Sequence, residues 1–393
     1  MDSITANGAT APGAGYSLWQ LVRYMLGLGT WGFGGPVALV GYMYRNLVEK
    51  RRWISEGDYK EGLALAQLMP GPLAAQLGIY LGYVHYRVLG ATLAGLAFVL
   101  PSFFMVMALG AVYVTYGGIG WMQAVFYGVG AAVIGIIAMS AYKLTTKNVG
   151  KDKLLWAIFL GSAAVTVITQ SEVVWVFLGA GVLVWLWRVP PKFGAGANSM
   201  AAPLAAWFAI DMIDWHKLGQ IGAYFAYAGS FVFGSGLAIV PFLYGGVVKE
   251  YGWLTDRQFV DAVAVAMITP GPVVITTGFI GFLVAGFWGA VVAAVATFLP
   301  CYLFTILPAP YFKKHGKRPA IVAFVDGVTA AAIGAITGAV IVIGQRSITD
   351  WITAALALVT AAVLWRFKKV PEPAIVLVAA LVGLVVHPLL IHP

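Results

Sequence analysis

The stretch LALAQLMPGP, residues 63–72, decides the fold, because it reappears as VAVAMITPGP at residues 263–272. Further matches follow in the same order at offsets of 200 and 199 residues: Phe33-Gly34 with Phe233-Gly234, Trp53 with Trp253, Glu61 with Asp261, and Leu100-Pro101 with Leu299-Pro300. An ordered series of matches at one spacing indicates an internal repeat. The chain therefore consists of two related halves.

The composition is that of a membrane protein. Of 393 residues, 61% are apolar and 10% are charged, against about 25% charged residues in soluble domains. Apolar runs of the roughly 20 residues that a helix needs to cross a bilayer recur from Tyr16 onward. The 48 glycines fit closely packed membrane helices. We therefore predict an all-α integral membrane protein surrounded by the lipid bilayer.

The net charge of +9 does not indicate nucleic acid, because the basic residues lie in short loops between apolar segments. Such loops face the cytoplasm, which predicts a multi-pass protein of a bacterial-type inner membrane. Cys301 is the single cysteine, so an intramolecular disulfide is excluded. The histidines follow no metal-ligand spacing and no Walker-type phosphate loop is present, so no metal and no cofactor are predicted.

The repeat divides the chain into four parts. Residues 1–15 are small and polar, which indicates a disordered tail. The two membrane repeats occupy 16–189 and 216–393, and a linker rich in Pro, Gly and Ala occupies 190–215. Glycine-rich helices permit a homodimer without requiring one.

The loops of the two halves carry complementary charge. Lys50-Arg51-Arg52 corresponds to Lys249-Glu250-Tyr251, and the cluster from Lys143 to Lys153 has only Arg346 near its counterpart. If the basic loops are cytoplasmic, the halves lie in the membrane upside down relative to each other. Inversion requires an odd number of crossings in each half, and about five are predicted.

The expected crossings are 17–48, 88–113, 119–142, 154–170 and 172–188, with counterparts at 217–248, 286–309, 319–345, 351–365 and 372–389. Tyr59–Tyr83 and Phe259–Leu283 are each broken at Pro-Gly-Pro and are expected to form re-entrant helical hairpins. Both chain ends are then external. A break at Gly34-Gly35-Pro36 leaves open whether 17–48 is a hairpin too.

The helix breaks are the predicted functional site. Backbone leaves the helix at membrane depth only where it is buried in protein or lines a polar cavity. A half-helix that starts after Pro72 or Pro272 has unpaired N–H groups and about half a positive charge at its N-terminus, which suits an oxyanion. The alternative is that the breaks only let helices pack closely.

Residues at and beside the breaks form the expected substrate-binding set, because their hydroxyl, amide and backbone groups supply hydrogen-bond donors. In the first half these are Thr30, Phe33, Gly34, Gly35, Pro36, Gln67, Pro70, Gly71, Pro72 and Gln76. In the second half they are Ser230, Gly234, Ser235, Gly236, Thr269, Pro270, Gly271, Pro272 and Thr276.

Ionisable residues in or beside apolar segments are costly and often functional. Those with a candidate coupling or electrostatic role are Glu61, Asp261, Asp326, Arg23, Arg45 and Arg87. Each also has a structural interpretation. A carboxylate at a helix start is favoured by the helix dipole, Asp326 lies near a basic loop with which it could pair, and an arginine at a span end extends to the interface.

Phe33-Gly34-Gly35-Pro36, Glu49-Lys50-Arg51-Arg52-Trp53-Ile54 and Met69-Pro70-Gly71-Pro72-Leu73-Ala74 closely resemble the chromate ion transporter family. The similarity runs through both halves, as in the long-chain, two-domain members. It implies a secondary active transporter that exports chromate, is driven by the membrane potential or a proton gradient, and confers chromate resistance. Ser235-Gly236 replaces Gly35-Pro36 in the second half, which leaves open whether the two halves have equal roles.

Several alternatives remain. A transporter or exchanger of sulfate, or of a related oxyanion, would need the same donors, because sulfate shares the shape and charge of chromate. An anion channel would open to both sides at once. A membrane-embedded enzyme should cluster His, Asp or Cys near one interface, and the sequence has no such cluster. No catalytic residue is therefore predicted.

Overall fold

The computed structural model describes residues 15–32, 35–116, 120–169, 173–190, 217–232, 239–315, 318–367 and 370–391. The first half contains α1 (Leu18–Trp31), α2 (Gly35–Met43), α3 (Glu56–Leu68), α4 (Leu73–Tyr116), α5 (Gly120–Asn148), α6 (Lys153–Thr169) and α7 (Val174–Arg188). The second contains α8 (Lys217–Ser230), α9 (Ile239–Leu243), α10 (Asp256–Ile268), α11 (Thr276–Ile306), α12 (Ala309–His315), α13 (Pro319–Ser347), α14 (Trp351–Arg366) and α15 (Glu372–Ile391). The all-α prediction is confirmed.

Several helices have the length and composition of membrane spans. Those long and apolar enough to cross a bilayer among the described residues are Leu73–Tyr116, Gly120–Asn148, Val273–Phe312 and Pro319–Gln345. Shorter apolar helices accompany them at Lys153–Thr169, Trp175–Arg188, Trp351–Arg366 and Glu372–Pro388. The protein is a multi-pass membrane protein, as predicted.

Each half begins with a broken hairpin. The hydroxyl of Tyr24 on α1 donates to the carbonyl of Tyr42 on α2 over 3.0 Å. Tyr24 precedes the gap between α1 and α2 by about as many residues as Tyr42 follows it, so the two helices are antiparallel. Tyr224 and Phe242 repeat this bond over 2.5 Å in the second half. The segment 17–48 therefore takes the hairpin alternative rather than crossing as one helix, which removes one of the about five crossings predicted for the half. We name this segment, and its counterpart in the second half, the entry hairpin.

The chain start lies beside the end of the entry hairpin. Tyr16 stacks on Trp53 with 5.0 Å between ring centroids, and it forms a 2.9 Å hydrogen bond with His85. Trp53 directly follows Lys50-Arg51-Arg52. The described chain thus starts on the side of this basic loop, because the first segment returns to the side from which it enters. If the basic loops are cytoplasmic, this start is not external.

The next element is the Pro-Gly-Pro hairpin, formed by α3 and the first turns of α4. Tyr80 on α4 donates to Glu61 on α3 over 2.8 Å, and Gly62 lies directly under the Tyr80 ring. The chain then reverses at Arg87, where φ is 51° and ψ is −141°. In the second half α11 reverses in the same way at Gly286, where φ is 61° and ψ is −151°. The re-entrant hairpins predicted from sequence are confirmed.

The long helices that follow run in opposite directions. Thr92, near the start of the straight part of α4, forms a 2.6 Å hydrogen bond with Tyr302, near the end of α11. Gly110, near the end of α4, instead packs against Phe282, beside the start of the straight part of α11. The halves are therefore inverted. Because successive helices run in opposite directions, the loops after α2, α5, α11 and α14 lie on one side, which we name the basic side.

Helices α5 and α13, one from each half, pack against the later helices of the opposite half. The backbone of Gly128 on α5 touches that of Ala379 on α15, and the backbone of Gly327 on α13 touches that of Ala180 on α7. The two contacts are related by the repeat offset of 199 residues. Each half thus encloses a long helix of the other, and only glycine allows so close an approach of two backbones.

The chain reversal generates a prediction about stability. Arg87 has a backbone conformation that favours glycine, and its counterpart is Gly286. Arg87→Gly should raise the free energy of unfolding by about 1 kcal/mol, the strain released less the entropy cost of a new glycine. Thermal unfolding in detergent measures this, and Gly286→Ala should have the opposite effect. A lower melting temperature for Arg87→Gly would contradict the interpretation.

Candidate functional site

The helix breaks of one half bind those of the other. The N–H of Gly71 donates to the carbonyl of Val232 over 2.5 Å, and the N–H of Gly271 donates to the carbonyl of Gly32 over 3.1 Å. Donors and acceptors are both related by an offset of 200 residues. Each Pro-Gly-Pro break thus bonds to the end of the first helix of the opposite half, at Val232 or Gly32, and the two bonds are related by a pseudo-twofold axis.

Glycine is required at both Pro-Gly-Pro breaks. The φ angles are 145° at Gly71 and 99° at Gly271, in the region that L side chains rarely adopt. A Cβ would also lie 2.6 Å from the Gln76 side chain at the first position and would overlap the Ser102 hydroxyl at the second. The backbone therefore comes close to two polar side chains in this region.

Two buried side-chain atoms at the breaks have no partner among the described residues. They are Oε1 of Gln76 and Oγ of Ser102, and both residues are 0% exposed. Leaving a buried polar atom unpaired costs about 1–3 kcal/mol. The Nε2 of Gln76 donates to the Pro70 carbonyl over 2.8 Å, whereas the Ser102 hydroxyl makes no bond there and is an available donor.

Backbone donors lie beside these side chains. Helix α4 starts at Leu73, directly after Pro72, and the N–H groups of its first turn have no acceptor within the helix. In the second half a 3₁₀ turn at Val273–Ile275 precedes α11. Both starts are fully buried in protein, so the positive ends of two helix dipoles point into the interior from opposite halves.

Ser102 was not among the residues predicted from the sequence. It lies in an apolar run of α4 and reaches the site only because this helix packs against the Pro-Gly-Pro break of the other half. A signal was present, since Ser102 follows Pro101 and its counterpart Cys301 follows Pro300. Cys301 is buried as well, in a core cluster made largely of first-half residues.

The predicted binding residues are only partly brought together. Pro70, Gly71, Pro72, Gln76, Pro270, Gly271, Pro272 and Thr276 lie at the two Pro-Gly-Pro breaks, and Gly35 and Pro36 begin α2. The hydroxyls of Thr30, Ser230, Thr269 and Thr276 each donate to a carbonyl of their own helix or turn over 2.7 Å. Gln67 is exposed on α3. Phe33, Gly34, Gly234, Ser235 and Gly236 lie outside the described residues.

The two hairpin carboxylates have different partners. Glu61 accepts a hydrogen bond from Tyr80 of its own hairpin. Asp261 is 3% exposed and accepts a 2.7 Å hydrogen bond from Tyr113, which belongs to the other half. Asp261 therefore lies at a contact between the halves, whereas Glu61 stabilises its own hairpin.

Asp326 belongs to an ion-pair cluster. Arg188 on α7 bonds to Asp326 on α13 and to Asp152 in the loop before α6, each over 2.6 Å. Its hydrogen bond lowers the pKa of Asp152 below the ordinary range. All three side chains are partly exposed, so the cluster links the halves at the basic side, and this arrangement favours the structural interpretation of Asp326.

The remaining candidates are exposed arginines. Arg45 stacks on Tyr42 with 5.1 Å to the ring centroid, and Arg87 occupies the chain reversal. Arg23 lies on α1, where it lines a cavity in the entry hairpin. None of these arginines lies at the meeting point of the breaks. A group of three metal-ligating side chains is likewise missing from the described residues.

Inverted repeats with broken helices that meet inside the protein are the architecture of membrane transporters. The comparisons agree, because the family model described as chromate transporter matches residues 19–185 and 219–384. The chain belongs to the chromate transporter family, whose members are transporters rather than enzymes.

The chain is similar to a chromate transport protein of Cupriavidus metallidurans, with 71% identity over 392 residues, 99% of this chain and 98% of the relative. A probable chromate transport protein of Synechococcus elongatus is 62% identical over 94% of this chain and 96% of its own length. A chromate transport protein of Pseudomonas aeruginosa is 31% identical over 94% and 92%. No solved structure matches the chain significantly.

Close backbone approach at the breaks generates a second prediction. Gly71→Leu and Gly271→Leu should each abolish binding of chromate and sulfate at the breaks of the purified protein, because the new side chain fills the space beside Gln76 or Ser102. Gly78→Ala and Gly278→Ala are matched controls, since a Cβ there meets its nearest atoms at 3.7 and 3.5 Å. If the Leu variants are folded and still bind the oxyanions at the breaks, the breaks only let helices pack closely and do not bind the substrate.

Proposed function

We propose that this protein is a secondary transporter that exports chromate from the cytoplasm and thereby confers chromate resistance. The observation that carries the proposal is the reciprocal bonding of the breaks, next to a buried hydroxyl without a partner among the described residues. Relatives 71% and 62% identical to the chain are named as a chromate transport protein and a probable one, which supports chromate as the substrate.

The chemistry of the breaks suits a tetrahedral dianion. Its oxygens accept hydrogen bonds, and the available donors are the Ser102 hydroxyl and the N–H groups of the first residues after Pro72 and Pro272. The N–H groups of Gln76 and Ile275 are not among them, because they bond to the carbonyls of Pro72 and Pro272. Oε1 of Gln76 is an acceptor and does not bond to the anion, whereas Nε2 has two N–H groups, of which the Pro70 carbonyl takes one. Sulfate offers the same four oxygens and the same charge, and the proposal includes it as a competing ligand.

Electrostatics supports export as the direction of transport. Moving one charge through the membrane is worth about 2.3 kcal/mol per 100 mV, so a dianion leaving a negative interior gains roughly twice that amount. Import against the same potential would require coupled cations. ATP is not needed for this movement, since the membrane potential supplies the energy.

The experiment is chromate accumulation in inverted membrane vesicles with an imposed potential and no ATP. Accumulation should depend on the potential, and sulfate should compete more strongly than phosphate. Ser102→Ala should weaken chromate binding roughly tenfold, the effect of losing a hydrogen bond to a charged group. Thr305→Val is the control, because the Thr305 hydroxyl is buried but donates to the Cys301 carbonyl over 2.8 Å. Accumulation without any potential or ion gradient would contradict the proposal.

We further propose that Asp261 couples transport to a proton gradient. It lines a cavity of about 270 Å³ with Tyr127, Arg257 and His387, which come from α5, α10 and α15. Asp256 at the start of α10 lines the same cavity, which lies on the side opposite the basic side because the second half is inverted. Protonation of Asp261 would change its bond to Tyr113, and hence a contact between the halves.

Asp261→Asn should keep chromate binding while losing the response of chromate flux to a pH gradient at fixed membrane potential. Glu61→Gln, the matched position of the other half, should keep both. Flux into proteoliposomes with an imposed pH gradient, recorded beside equilibrium binding, separates the two effects. An unchanged response of Asp261→Asn to the gradient would remove Asp261 from the coupling mechanism and leave the substrate assignment intact.

A further inference from the structure

The entry hairpin of the first half borders an open cavity of about 700 Å³. Arg23 and Arg51 line it together with Asn46 and Trp53, and at its inner end it reaches Gly32. The carbonyl of Gly32 accepts the hydrogen bond from Gly271. The cavity therefore extends from the basic side, where Trp53 follows the Lys50-Arg51-Arg52 loop, to the meeting point of the breaks.

The two guanidinium groups in this cavity have no carboxylate partner within the described part of the chain. Arg51 lies over the rings of Trp53 and Tyr24, at 4.5 and 5.5 Å from their centroids. Stacking holds a guanidinium in place through its flat face, while its N–H edge stays available for bidentate bonds to an oxyanion. An unneutralised cationic edge inside a cavity is a site for an anion.

In the second half, other side chains fill the position that corresponds to this cavity. Ala223 and Tyr251 stand where the first half has Arg23 and Arg51. Tyr251 stacks on Trp253 with 4.6 Å between ring centroids, and Gly246, the counterpart of Asn46, lies against the Tyr224 ring. Aromatic packing thus occupies this part of the second entry hairpin, so the polar cavity is not an automatic product of the repeat.

We propose that the cavity of the first entry hairpin is a capture site for a divalent tetrahedral oxyanion, with Arg23 and Arg51 as its cationic ligands. The inference rests on the proposed function and adds a second anion site, at the cytoplasmic mouth, before the paired breaks. Cations without carboxylate partners at the entrance raise the local concentration of the dianion and speed its association. In the described part of the second entry hairpin aromatic side chains fill the equivalent position, so this site would serve entry of the anion from the basic side.

The test uses the protection of an introduced cysteine by sulfate, which does not oxidise thiols. Cys301→Ser removes the single cysteine and installs the residue found at the matched position 102. Gly27→Cys then adds a thiol in the cavity, where a Cβ has open space. Gly57→Cys is the control, because it is exposed at the start of α3, outside the cavity.

Sulfate should slow maleimide labelling of Gly27→Cys and leave Gly57→Cys unaffected. Arg51→Gln, checked for unchanged thermal stability, should raise the sulfate concentration for half-protection roughly tenfold, and Arg51→Lys should restore only part of it. A membrane-impermeant maleimide should label Gly27→Cys in inverted vesicles and not in right-side-out vesicles. Labelling only from the external side would overturn the cytoplasmic assignment.

The outcomes separate this inference from the proposed function. If sulfate gives no protection while the same variant still binds chromate and sulfate in equilibrium dialysis, the capture site is overturned and the site at the breaks stands. If protection is present but Ser102→Ala and the Gly71 and Gly271 variants bind chromate like the parent, the capture site stands and the proposed site at the breaks is overturned.

Discussion

Backbone that leaves the helix inside a membrane has no water to bond with, and this constraint organises the whole protein. Gly71 gives its N–H to Val232, and Gly271 gives its N–H to Gly32. Each bond has its donor in one half and its acceptor in the other. Separating the halves would leave four backbone groups unpaired, at several kcal/mol each in an apolar environment. The duplication, the inversion and the packing of each half's long helix within the other half all hold these bonds in place.

The halves share a backbone plan and differ in the side chains placed on it. Ser102 supplies a hydroxyl where the second half has Cys301, and Arg51 supplies a cation where the second half has Tyr251. Glu61 is bonded within its own hairpin, whereas Asp261 is bonded across the halves. These substitutions make the two faces of an otherwise symmetric backbone chemically different, as the proposed export in one direction would need.

The sequence was sufficient for the parts of the fold that leave a local signal. The Pro-Gly-Pro repeat predicts the hairpins, and the complementary basic loops predict the inversion. The sequence left open whether residues 17–48 form a hairpin or one crossing, because two short helices around a break have the same pattern as one long broken span. Contacts between the halves leave no such pattern, so neither the bond between Gly71 and Val232 nor the approach of Ser102 to Gly271 was predicted. Gln76 was identified, yet its amide bonds to its own break and not outward.

The central claim is that the transported oxyanion binds where the breaks of the two halves meet. Selenate is a tetrahedral dianion, and its selenium can be located by anomalous diffraction from crystals of the protein. The account predicts a selenium peak within hydrogen-bonding reach of the Ser102 hydroxyl and beside Gly271, absent from the Gly271→Leu variant. Selenium found elsewhere in the protein, with none between the breaks, would contradict it.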